Sequence, residues 1–264
     1  MRTVLLCIAL VLIAGESDAL EIVTALDDGF TVPSEGRMAE SSLNFPGTES
    51  FTRGWFATLA WSAPFGVEDI AVTTLHAGMR MGKVGVSCSF NSSGFELYGD
   101  EQEKIGVSFS PVPFFSAGFR VTRTAMHIKR FGRADAVSGD AGIVIHPVQP
   151  LWCAVSCEDI AGAEIGESRE PLDGHSRLGV SWNASERITL LFSGMKVRRF
   201  DPSFSGGFTA EIANALTVGI IGGTEPDRFE FLGMVTVAGM HVAYRGSYHP
   251  ELGMSHGFSM SWGE

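Results

Sequence analysis

The chain has 264 residues, a formal net charge of −11 and 45% hydrophobic residues, which places it among folded proteins with a large core rather than among disordered tails. Its 30 acidic residues outweigh 19 basic ones with no basic stripe, which argues against a nucleic-acid partner. After residue 19 no run reaches about 18 continuous apolar residues, so membrane residence would have to come through strands.

The chain opens MRTVLLCIALVLIAGESDA: a positive Arg2, an apolar run from Val4 to Ala14, and small residues Ser17 and Ala19 in a cleavage pattern. This predicts a secretory signal over 1–19 that is removed on export.

From Gly54 onward the hydrophobic period is two, turn signals recur at short intervals, and 32 Gly and 19 Phe accompany them. The predicted strands, in order, are Gly54 to Trp61, Asp69 to Met79, Lys83 to Asn91, Glu103 to Ser110, Phe115 to Lys129, Ala136 to Ile145 and Leu151 to Ile160. Ser176 to Trp182, Arg187 to Val197, Gly207 to Ala213, Leu216 to Ile221, Phe229 to Ala238, Met240 to Tyr248 and Met254 to Trp262 complete fourteen. An even count suits an antiparallel barrel whose ends meet. Longer polar stretches at Ser92 to Gln102, Gly162 to Gly174 and Arg199 to Gly206 read as loops.

The two faces of each strand decide what surrounds the sheet. Val84, Val86, Cys88 and Phe90 oppose Gly85, Ser87, Ser89 and Asn91, and Ile105, Val107 and Phe109 oppose Gly106, Ser108 and Ser110. In the last strand, Met254, His256, Phe258, Met260 and Trp262 alternate with Ser and Gly. A soluble sandwich also alternates, but its outer face carries Lys, Glu, Asp and Arg. A polar face of Ser, Gly and Thr suits a crowded, partly wet barrel interior, with the apolar face turned to lipid. The fold class is therefore all-β, a transmembrane antiparallel β-barrel of about 14 strands. A soluble carbohydrate-binding sandwich is the alternative, with two sheets and polar outer faces. Trp55, Trp61, Trp152, Trp182 and Trp262 lie near strand ends, where interface girdles are expected.

Charges on or near the polar faces, Arg80, Lys104, Arg120, Glu211 and Arg245, form a candidate lumen cluster, with Glu211 and Arg245 as the expected pair. Cys88, Cys153 and Cys157 are an odd number and give no disulfide framework. Scattered histidines without a nearby carboxylate pattern predict no metal site. No G-x-S-x-G elbow appears, so no enzyme activity and no cofactor are expected.

The run YRGSYHPELGMSHGFSMS (Tyr244 to Ser261), centred on His249, Pro250, Glu251, Leu252 and Gly253, resembles the closing hairpin of the PorV/PorQ group of FadL-like outer-membrane proteins. Asn44, Phe45, Pro46 and Gly47 are similar to that group's NPAG motif, and Gly206 to Gly223 and Pro171 to Trp182 resemble two of its strands. The resemblance implies a fourteen-stranded outer-membrane barrel over 53–264, with residues 20–52 folded into the lumen as a plug. It also implies either transport of hydrophobic small molecules or a part in type IX protein secretion and surface attachment. The implied partners are outer-membrane lipid, hydrophobic molecules or secreted cargo proteins, and the insertion machinery, which would read the C-terminal strand. A purely structural barrel is the remaining option.

Overall fold

The computed structural model describes residues 32–34, 37–166, 169–224 and 228–263. The expected signal, 1–19, and the first part of the expected plug, 20–31, lie outside the described residues. The strands are β1 (Trp55–Ala63), β2 (Val72–Met81), β3 (Val84–Phe95), β4 (Tyr98–Val112), β5 (Phe115–Ile128), β6 (Gly132–Val148), β7 (Leu151–Cys157) and β8 (Glu164–Ile165). They continue as β9 (Glu170–Pro171), β10 (His175–Ser185), β11 (Ile188–Val197), β12 (Ser203–Ala213), β13 (Leu216–Gly223), β14 (Arg228–Val237), β15 (Met240–His249) and β16 (Gly253–Gly263).

All but β8 and β9 form one closed antiparallel barrel of fourteen strands, each paired with its chain neighbours. β1 and β16 close it, in a register running from Phe56 opposite Gly263 to Ala63 opposite His256. Closure leaves no sheet edge, which is what hydrocarbon requires of a spanning sheet, because nothing in lipid hydrogen-bonds a bare N–H or C=O. Among the described residues no helix is long and apolar enough to cross a membrane.

The alternation sorts inside from outside as the composition demands. Ile105, Phe109, Phe119 and Val137 point outward and are 72%, 52%, 50% and 63% exposed, while Ser108, Ser116, Thr122 and Ser138, on the other register, are buried. The sandwich alternative fails here: Val107, Phe109 and Val121 face away from the molecule, not toward a second layer. Of the five tryptophans, Trp152 departs from the girdle; it points into the barrel, is buried, and stacks on His146 at 3.8 Å between ring centroids.

The barrel's two ends differ. One end carries short turns, such as those between β2 and β3 and between β12 and β13. The other carries the longer connections, including the one from β7 to β10 that contains the β8–β9 ribbon. Ser92 to Gln102, expected as a loop, is instead the top of β3 and β4. There β4, β5 and β6 rise past the apolar band, and their outer face becomes a ladder of ion pairs: Arg123 with Glu103 (3.1 Å) and Asp135 (2.7 Å), and Arg133 with Glu101 (3.4 Å). Charges that would be costly against lipid begin where Ile105, Val121 and Val137 end, which marks the edge of the apolar band.

Candidate functional site

The lumen is filled by the described part of the N-terminal segment. A helical turn at Met38–Ser41 and a 3-10 turn at Thr48–Phe51 fold on themselves, with the Phe45 N–H donating to Ser41 O at 2.9 Å. Their apolar side chains dock on the few apolar residues that point inward. Val32 packs with Leu191, Ile221, Leu232, Met234 and Ala243, and Met38 and Phe45 pack with Val144, Trp152 and Ala154.

The small inner face makes room for this plug. A Cβ at Gly118 would stand 2.3 Å from the Gly47 nitrogen, and one at Gly142 would stand 2.3 Å from the Pro46 oxygen. Backbone therefore lies on backbone where the Asn44, Phe45, Pro46, Gly47 motif crosses β5 and β6. Gly47 itself has φ 117°, a conformation that favours glycine, and its N–H donates to Glu49 Oε2 at 2.8 Å. The Ser87 hydroxyl donates to Glu49 Oε1 at 3.0 Å, tying the same turn to β3.

Two charge clusters hold the plug. In the first, Arg245 of β15 reaches Glu40 of the plug at 2.7 Å, and Arg37 reaches the same carboxylate at 3.4 Å. Burial opposes ionisation of Glu40, but Arg245 and then Arg37 hold its carboxyl below the usual carboxylate range. In the second, the Arg120 guanidinium of β5 donates to Leu43 O at 2.5 Å and to Ser42 O at 3.4 Å, both on the plug. It also pairs with Asp140 of β6 at 2.9 Å and with Glu158, just beyond β7, at 3.3 Å. Lys104 lies 3.6 Å and His175 Nε2 3.3 Å from the Glu158 carboxylate. Burial works against the Glu158 charge, yet His175, Lys104 and Arg177 together keep its carboxyl well below the usual range. Burial raises that of neighbouring Asp159.

Of the charges expected in one cluster, the structure brings Lys104 and Arg120 together and separates the rest. Arg245 sits in the lumen but pairs with Glu40, not Glu211. Glu211 lines a different space near the short-turn end, because β12 and β15 are separated by β13 and β14. Arg80 is no lumen residue: it is exposed at the short-turn rim, where its Nε donates to Gly82 O at 2.7 Å. Asp140, on the inward register beside Ser138 and Gly142, carried the same signal as Lys104 and Arg120 and was missed. Nothing in the local pattern marked Glu40 or Glu158.

His249, Pro250, Glu251, Leu252 and Gly253 form the turn from β15 to β16 at the long-loop end. His249 Nδ1 accepts from the N–H groups of Glu251 and Leu252, both at 3.2 Å. The motif thus caps a hairpin. Among the described residues no group of three His, Cys, Asp or Glu could hold a metal ion, and Cys88, Cys153 and Cys157 form no disulfide.

Among the described residues, two cavities flank the plug. Between it and the β7–β10 connection lies a chamber of about 40 Å³, lined by Asn44, Lys104, Asp140, Glu158, His175 and Arg177 among others. Toward the short-turn end lies a cavity of about 630 Å³, whose lining includes Ser34, Arg37, Asn183, Arg187, Glu211 and His241. They share no lining residue. Most of the side chains that line both cavities carry hydroxyl, amide or charged groups.

No protein-family model matches the chain, and no curated protein matches it in sequence. Its fold is similar to solved structures. The Pseudomonas putida toluene transporter TodX matches with a TM-score of 0.66 at 10% identity, over 93% of this chain and 98% of that one. The Ralstonia pickettii toluene transporter TbuX gives 0.59 at 7% identity, over 84% and 92%. A Pseudomonas aeruginosa FadL homologue gives 0.60 at 10% identity, over 84% and 93%. At these identities the likeness establishes the architecture: the chain has the fold of the FadL-like barrels.

Proposed function

We propose that the chain is an outer-membrane barrel of the FadL-like type that admits small hydrophobic molecules, and that its lumen is closed in this conformation. The observation that carries the reading is the fourteen-stranded barrel filled by its own N-terminal segment, on a fold similar to that of two toluene transporters. The short-turn end would face the periplasm and the long-connection end the outside, as in bacterial barrels generally. Residues 1–19 would direct export, and β16 would be the strand read by the insertion machinery. The groups that hold the plug would be Arg245 with Glu40 and Arg120 with its four acceptors.

A second reading is a closed scaffold, used in protein secretion or surface attachment or purely structural. The charged groups that line the smaller chamber, Lys104, Asp140, Glu158 and Arg177, favour it, since hydrocarbon gains nothing from a charged chamber. Uptake of a radiolabelled hydrocarbon such as toluene by cells with and without the protein separates the two. Transport predicts faster uptake with the protein; equal rates in the two strains would eliminate transport and leave the scaffold.

A further inference from the structure

Arg120 touches three separate parts of the molecule. Its Nη1 donates to plug carbonyls, its Nε to Asp140 on the wall, and its Nη2 to Glu158, the first residue of the β7–β10 connection. Asp140 serves the same three-way contact from the wall side: one oxygen accepts from Arg120 and Thr122, and the other accepts the backbone N–H of Asp159 at 3.1 Å. The connection is also attached by the Ile160 N–H donating to Gly139 O at 2.9 Å, by ion pairs of Asp159 with Arg198 (3.9 Å) and of Asp173 with Arg199 (3.8 Å), and by a small apolar cluster, Ile165 and Leu172 on Ala136. Removal of the Glu158 carboxylate takes one anion from the buried Arg120 and Lys104, and a buried charge that loses a partner is costly.

We infer that Arg120 couples the outer connection to the plug, so that drawing Glu158 out of the lumen loosens the plug's hold on the barrel. The coupling makes the closed lumen responsive from outside: whatever engages the β7–β10 connection shifts the plug without touching it. By linkage the effect is reciprocal, and displacing the plug loosens the connection. This inference deepens the transport reading but rests only on its closed, plugged lumen.

The test uses full-length protein in intact cells, with Cys7, Cys88, Cys153 and Cys157 replaced by Ala and one reporter cysteine added. Ser50→Cys reports on the plug: Ser50 is fully buried and its hydroxyl donates to Ser116 at 2.6 Å, four residues along β5 from Arg120 and away from the connection. Ala163→Cys reports on the connection. The trigger is Glu158→Gln, which lies in the connection, leaves every plug residue unchanged and takes one anion from Arg120 and Lys104, and the readout is the labelling rate with a membrane-impermeant maleimide. Coupling predicts that Glu158→Gln raises labelling at both reporters, at Ser50→Cys by about tenfold, within the usual range of coupling between sites. Faster labelling at Ala163→Cys with an unchanged rate at Ser50→Cys would mean that the two parts move independently, and no change at either would mean that Glu158 holds neither; both overturn the inference. Heat-modifiable gel migration verifies that each variant is folded, and Arg120→Lys, which keeps the charge but loses the fork, serves as the milder second variant with the same expected direction. No cargo enters this readout, so equal hydrocarbon uptake would remove the transport reading and leave the coupling standing.

Discussion

Glu40 shows how far one carboxylate reaches in this molecule: it is buried, and it meets Arg37 from its own helical turn, Arg245 from β15 and the Ser261 hydroxyl from β16. Breaking one arm of such a group strands the other. Arg245→Met should lower stability by about 3 kcal/mol, toward the smaller end for a broken buried pair because Arg37 remains. Glu40→Gln with Arg245→Met should recover most of that loss. Urea unfolding of the refolded protein in detergent measures both, and equal losses in the single and double variants would show that Arg245 acts through packing alone. The inward placement of Lys104, Arg120 and Arg245 was legible because their strands present an apolar face on the other side. Their partners were not. Glu40 lies 205 residues from Arg245 in sequence, in a segment with no strand period. Glu211 was the nearest carboxylate by pattern, yet strand order puts two strands between them.

At the level of elements, the apolar band has a measurable upper edge on β4. Val107 and Ile105 face lipid in this account, and Glu103, two residues on, belongs to the ion-pair ladder above it. An Arg at Val107 should therefore cost about 2–4 kcal/mol, whereas Glu103→Lys should change stability by less than about 1 kcal/mol. Denaturant unfolding in phospholipid vesicles tests the contrast, and equal costs at the two positions would put the edge elsewhere. The same wall explains where sequence reading stopped. Strands within the band alternate cleanly and were found, to within a few residues, in all fourteen cases. The top of β3 and β4 shows no strand period in the sequence because a wall with water outside it no longer needs an apolar register. The β8–β9 ribbon, two residues a side, is too short to show a period.

The whole molecule is a cylinder that presents bulky apolar groups outward and fills itself with its own N-terminal segment. Closure was legible from the even number of strands and from the asymmetry between the faces. The plug's presence was implied only by the resemblance carried by Asn44 to Gly47 and the closing hairpin. Its fit depends on Gly118 and Gly142 meeting Pro46 and Gly47 across the lumen, a contact between segments about 70 to 100 residues apart that no local pattern encodes. The claim on which all of this stands is the closed barrel in lipid, and the most direct measurement is gel migration of the detergent-extracted protein with and without boiling. A closed barrel resists detergent and runs faster unheated than boiled. Identical migration in the two lanes, from a chain that also stays soluble in plain buffer, would contradict it.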